Sequence, residues 1–198
     1  MTDDKGSEVT DARRLFLGVR ISLGAIEDMV RTVESMQPVA RSADLAVRWL
    51  APESYHITLK FLGWTKKEVE PVLREAVGQA VAGSKPFDLT LKGLGAFPSP
   101  KKARVVWAGV DRGKDELVQL ARSLDGAAAE LGFEPEKREL VPHVTFGRLK
   151  NSSDTTGLLL PFSEDRFRKT RVNRVVLFES VTHSKGAEYN SRAEWALG

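Results

Sequence analysis

The sequence predicts an α+β fold of two pseudo-symmetric lobes, each a mainly antiparallel sheet with flanking helices, with a cleft between them. Three observations lead there. Its strand-like stretches alternate apolar and polar residues, as half-buried antiparallel strands do. Its helical stretches are too few for a doubly wound parallel sheet. The order strand, helix, loop, strand occurs twice, and both copies end on a His-x-Thr triplet with a proline shortly before it, which points to an internal duplication.

The elements follow in order. Residues 1–12 are polar and acidic and are expected to be a flexible lead, followed by one bilobal domain over 13–198. LFLGVRI (15–21) is a short apolar strand. After Ser22 as N-cap, Leu23, Ile26, Met29, Val33 and Met36 recur at helical spacing, and a loop is expected through Pro38. VRWLAPESYHITLKFLG makes two strand pieces broken at Pro52. Thr65 and Glu68 form a capping-box pattern before a helix carrying Leu73, Val77 and Ala80. FDLTLKGLGAF (87–97) alternates like a strand.

The pattern then restarts. RVVWAGV (104–110) is a strand, and Leu117, Leu120, Leu124, Ala128 and Leu131 mark a helix stopped by Gly132. HVTFGRLK carries the second triplet, an irregular stretch covers 150–170, RVNRVVLFESV reads as one strand, and a short segment closes the chain. Phe16 precedes His56 by 40 residues and Val106 precedes His143 by 37, which aligns the two copies.

Composition narrows the chemistry. There is no cysteine among 198 residues, which removes disulfides and thiolate chemistry. Thirty Lys+Arg against 27 Asp+Glu give a net charge of +3, a mild basic bias close to neutral evidence on nucleic acid. The N-terminal residues lack the pattern of a signal peptide, and no apolar run reaches membrane length, so a cytoplasmic protein without membrane contact is expected.

The triplets carry the functional signal. Strict alternation puts His56, Thr58 and Lys60 on one strand face, and Ile57, Leu59 and Phe61 on the other. Each triplet sets an imidazole and a hydroxyl on one face about 7 Å apart. Two facing imidazoles, one neutral and one protonated, suit acid–base catalysis. Threonine hydroxyls and nearby cations suit an anionic centre. Two histidines without cysteine or a carboxylate at ligand spacing make a poor zinc site, so no metal or cofactor is expected. One His-x-Thr triplet alone is usually a half-exposed strand face; two in matching contexts argue against coincidence.

In these motifs, together with RRLFLGV, RWLAPESYHITLKFLG, LGAFPSPKKARVVWAGV, ELGFEPEKRELVPHVTFGRLK and VVLFESV, the chain from about residue 13 resembles the 2H phosphoesterase superfamily. Within it, the chain is most similar to the RNA 2′,3′-cyclic phosphodiesterases, historically called 2′-5′ RNA ligases. The resemblance implies a hydrolase that opens RNA 2′,3′-cyclic phosphate termini to 2′-phosphates. His56 and His143 would be its catalytic pair (His143 as base, His56 as acid), with Thr58 and Thr145 on the phosphate. The implied partner is RNA with such ends, tRNA fragments included, and the implied state a monomer.

Rival activities are 2′-5′ ligation of a cyclic-phosphate end to a 5′-hydroxyl, and RNA binding without catalysis. Family members often carry a basic residue just after the second threonine, where this chain has Phe146. Arg148 is the nearest substitute, and it reaches the site only if the strand bulges near Gly147. Lys60 is a further substrate-binding candidate. Phe16, Trp49 and Trp107 could stack on a base, although packing is the commoner role for such residues. The basic turn SPKKAR (99–104) reads as a solvated loop, and His183 as an ordinary loop histidine.

Overall fold

The computed structural model describes residues 11–183 and 186–198. Most of the expected 1–12 lead therefore lies outside the described residues, and Ala12 already belongs to the first strand. The strands are β1 (Ala12–Arg20), β2 (Val47–Trp49), β3 (His56–Lys66), β4 (Phe87–Phe97), β5 (Ala103–Arg112), β6 (His143–Ser153), β7 (Thr170–Val172), β8 (Arg174–His183) and β9 (Gly186–Ala196). The helices are α1 (Leu23–Ser42), α2 (Glu70–Val81), α3 (Lys114–Glu130) and the single turn α4 (Thr156–Leu159).

The strands join in the order β7-β4-β5-β6-β3-β1-β8-β9, with β2 added to β6, and every pairing is antiparallel. One lobe is β3-β1-β8-β9 and the other is β6-β5-β4-β7. The halves exchange strands. β4 follows the first triplet but pairs with β5, and β8 follows the second triplet but pairs with β1. Leu15, Leu17 and Val19 of β1 face a core shared with α1, α2 and α3, while Phe16 on the other face packs with Val176, Phe178 and Tyr189.

Several boundaries differ from the sequence reading. α1 continues through Pro38 to Ser42, because the buried Met36 and Ala40 hold the last turns on the core. Ser22 does cap it, accepting from the Ala25 amide at 3.2 Å. Thr65 caps nothing. β3 stays paired with β1 out to Lys66, Thr65 Oγ1 donates to the Gly63 carbonyl, and α2 begins only at Glu70 with Pro71 in its first turn. The 171–181 strand splits at Asn173, one part pairing with β4 and the other with β1. The closing segment is a full 11-residue strand.

The internal repeat also aligns one residue differently. Thr58 pairs with Gly18 and Thr145 with Trp107, while Phe16 pairs with Phe61 and Val105 with Arg148. The counterpart of Phe16 is therefore Val105, not Val106.

Candidate active site

The two lobes meet at one bridge, Ile57 opposite Val144, both fully buried. Cross-strand partners share a face, so the flanking residues His56, Thr58, His143 and Thr145 all project from the other one. In this antiparallel register His56 stands opposite Thr145, and Thr58 opposite His143. The result is a square floor with the imidazoles on one diagonal and the hydroxyls on the other.

Both rings are anchored alike. Nδ1 of His56 lies 2.7 Å from the Ser54 carbonyl, and Nδ1 of His143 lies 2.7 Å from the Val141 carbonyl. A carbonyl only accepts, so Nδ1 carries the proton and Nε2 is left for chemistry. Nε2 of His56 is 3.1 Å from Thr58 Oγ1. Aromatic rings fix the remaining freedom. Phe16, Tyr189 and Phe178 lie 4.8, 4.8 and 5.5 Å from His56, and Phe97 and Trp107 lie 4.9 and 5.8 Å from His143.

Burial pushes the His56 pKa down to about 4, and the charges of His143, Arg20 and Arg148 add to this against the Ser54 hydrogen bond. Burial also lowers His143, helped by Arg148 and opposed by the Val141 hydrogen bond. Both effects disfavour the charged imidazole.

Each triplet strand carries a bulge just past its threonine. On β6, Thr145 pairs with Trp107 and Gly147 with Val106, leaving Phe146 extra. On β3, Thr58 pairs with Gly18 and Lys60 with Leu17, leaving Leu59 extra. The bulge inverts the alternation. Arg148 is thereby exposed on the histidine face, close enough for its charge to act on both histidines.

The same bulge corrects Lys60. It does not share the His56 face; it is 2% exposed, with Nζ 2.6 Å from Asp125 Oδ1 and 2.6 Å from the Glu134 carbonyl. Its ammonium ties β3 to α3 and to the segment leading to His143, on the side of the sheet away from the histidines. Phe61, expected on the buried face, takes the outward position and is 61% exposed.

Phe16 is 4% exposed and stacked on Phe178, and Trp49 is stacked on Phe146 against the core, so both pack. Trp107 lies against Phe97, and its ring occupies the space a side chain on Gly95 would need. His183 ends β8, 3.3 Å from Glu188. Lys101 and Lys102 of the basic turn are exposed beside β5. Phe61, Phe97, Phe178 and Tyr189 were missed as site residues. A repeated +5 position after each histidine was the available signal for Phe61.

A pocket of about 620 Å³ opens from the Thr58–His143 edge of the floor, between Phe61, Phe97, α3 and Val141. Among the described residues, no group of three or more His, Asp or Glu is placed to hold a metal ion, and no helix is long and apolar enough to cross a membrane.

Residues 30–183 match the family model of the 2′-5′ RNA ligase superfamily. The chain belongs to this superfamily. Its similarity to RNA 2′,3′-cyclic phosphodiesterases extends over most of its length. It is 37% identical to the one from Methanothermobacter thermautotrophicus over 93% of this chain and 98% of that one. For the Aquifex aeolicus protein the figures are 32%, 83% and 90%. Among solved structures, Escherichia coli LigT complexed with 3′-AMP superposes with a TM-score of 0.76 at 26% identity, covering 94% of this chain and 99% of LigT. The antiparallel two-lobed α+β architecture is thus that of the family.

Proposed function

We propose that this protein hydrolyses RNA 2′,3′-cyclic phosphate termini to 2′-phosphate ends. The observation that carries the reading is the square floor, with two imidazoles anchored through Nδ1 and presenting Nε2 on one diagonal. Relatives that share most of the chain and are called RNA 2′,3′-cyclic phosphodiesterases support it.

In this mechanism the phosphate lies on the floor, its non-bridging oxygens accepting from Thr58, Thr145 and Arg148. His143 Nε2 takes a proton from water as the water oxygen bonds to phosphorus. The bond from phosphorus to O3′ breaks, and His56 Nε2–H gives its proton to that oxygen. The products are a 2′-phosphate and a 3′-hydroxyl, with the protonation states of the two rings exchanged. Burial disfavours the charged His56, and the bound anion opposes this by raising its pKa toward that of an acid.

The reading further includes one bilobal unit over residues 13–198, a monomer in the cytoplasm, and RNA ends, tRNA fragments among them, as substrate. Incubating adenosine 2′,3′-cyclic phosphate with the protein in excess EDTA, and separating the two isomeric monophosphates, tests it. Mainly 2′-phosphate is expected. Mainly 3′-phosphate would reverse the sugar orientation, and no turnover without added metal would overturn the two-histidine mechanism. Adding a 5′-hydroxyl oligonucleotide shows whether a ribose hydroxyl can replace the water, as ligation requires.

A further inference from the structure

On β2, Arg48 stands directly opposite Arg148 of β6. Directly opposed strand residues share a face, and like charges there repel. Both side chains are exposed, and neither has a carboxylate partner among the described residues. Lacking a carboxylate does not by itself set this pair apart, since Arg14, Arg41, Arg104, Arg112 and Arg138 have none among the described residues either. What sets it apart is that the two stand directly opposite each other.

A third cation lies nearby. Arg20 is the cross-strand neighbour of His56, over the Phe178 ring at 5.1 Å. Its carboxylate, Glu194, stands 3.8 Å away and is held more closely by Arg174, at 2.7 Å. The Arg48 guanidinium reaches toward Gly186 at the start of β9, 3.9 Å from where a Cβ there would sit. β2 belongs to one lobe and β9 to the other, so Arg48 reaches from the lobe of β6 toward β9, three residues along β6 from Thr145.

One phosphate on the floor answers Arg148. It leaves Arg48, one strand further out, facing like charge with no anion. We infer that Arg48, with Arg20 beside His56, forms a second phosphate subsite. It holds the phosphodiester that joins the terminal nucleotide to the preceding one, and so selects an RNA chain over a free nucleotide. This rests on the cyclic-phosphodiesterase reading above and names the residues by which the site would tell an RNA end from a free cyclic nucleotide. A cyclic phosphate can only terminate a 3′ end, so the rest of the chain leaves the site on its 5′ side, and its first phosphate is one nucleotide away.

The test compares adenosine 2′,3′-cyclic phosphate with a trinucleotide ending in the same group, using wild type, Arg48→Gln and Arg48→Lys. Arg48→Gln is expected to lower kcat/KM for the trinucleotide about tenfold more than for the mononucleotide. The slope of its log kcat/KM against log salt concentration should flatten by about 0.7, one single-strand phosphate contact. Arg48→Lys should retain most of the discrimination. Equal losses on the two substrates would overturn the subsite, and so would an unchanged salt slope.

A binding arm separates the two readings. Fluorescence anisotropy with a labelled trinucleotide ending in a 2′-phosphate, competed by adenosine 2′-phosphate, needs no turnover. If wild type hydrolyses neither cyclic substrate, the hydrolase reading falls, and this arm alone decides the subsite. A selective loss of about tenfold for the trinucleotide in Arg48→Gln supports it; a loss independent of chain length removes it.

Discussion

At one end of the cleft, the position five residues after a histidine holds Arg148, and β2 closes the strand edge beside it. At the other end the same position holds Phe61, and the edge of β3 beyond Ile57 is left to a pocket rather than to another strand. Both ends share the His-x-Thr triplet, the bulge after it, the carbonyl clamp on Nδ1 and an aromatic beside the imidazole. The shared parts are those that proton transfer needs twice. The divergent position meets a substrate that is not symmetric: an anion suits the arginine end, and an apolar ring suits the phenylalanine end.

The comparison breaks most visibly if its common part is removed from either lobe. His56→Ala and His143→Ala are each expected to lose on the order of 10²–10⁴ in kcat/KM on a 2′,3′-cyclic nucleotide, while thermal melting shows both folded. Near-normal turnover in either would mean that one imidazole suffices. The pH dependence of the residual activity separates their roles. The variant lacking the acid loses the alkaline limb of the profile, and the variant lacking the base loses the acidic limb. If the alkaline limb disappears in His143→Ala, the family-derived assignment is reversed.

Removing the divergent side chain should have a smaller effect. Arg148→Gln should lower kcat/KM by about 10–100-fold, the loss of one charge-assisted hydrogen bond to an anion. It should also raise the pKa of both histidines by removing a like charge, which NMR titration of the free protein reads directly. An unchanged rate would place the phosphate away from the arginine end.

Lys60 tests the hidden side of the bulge. Lys60→Ala removes the donor to the Glu134 carbonyl and the cation beside Asp125, whose carboxylate keeps the Glu136 amide, at an expected cost of about 2 kcal/mol because Asp125 is partly exposed. For a chain of this size that is a fall of about 4–8 °C in Tm. KM at temperatures well below the transition should not change; a raised KM with normal Tm would restore Lys60 as a substrate contact.

The smallest expected effect is a displacement of pH profiles. Burial holds both imidazoles below 6.5, His56 at about 4. The acid must be protonated, so the alkaline limb of kcat/KM, which reports the free protein, should fall below pH 6.5. A bound phosphate anion favours the imidazolium, so the alkaline limb of kcat should lie at higher pH. Coincident limbs would mean that the substrate charge does not act on the acid.

Much of this was present in the residues themselves. The antiparallel α+β class and the gathering of His56, Thr58, His143 and Thr145 follow from period-two alternation and the repeated triplet, both local properties of the chain. The capping of α1 by Ser22 is equally local. Tertiary structure decided the rest. A bulge shifts one residue against a partner strand, and that partner is not visible in the strand's own pattern. Alternation alone therefore exchanged Lys60 with Phe61, and left Arg148 dependent on an unseen irregularity at Phe146–Gly147. Thr65 lost its cap role for the same reason: pairing with β1 kept it in a strand. The descent of both histidine pKa values, and the meeting of Arg48 with Arg148, come from elements far apart in sequence, brought together because neither lobe can bury its apolar face without strands from the other half.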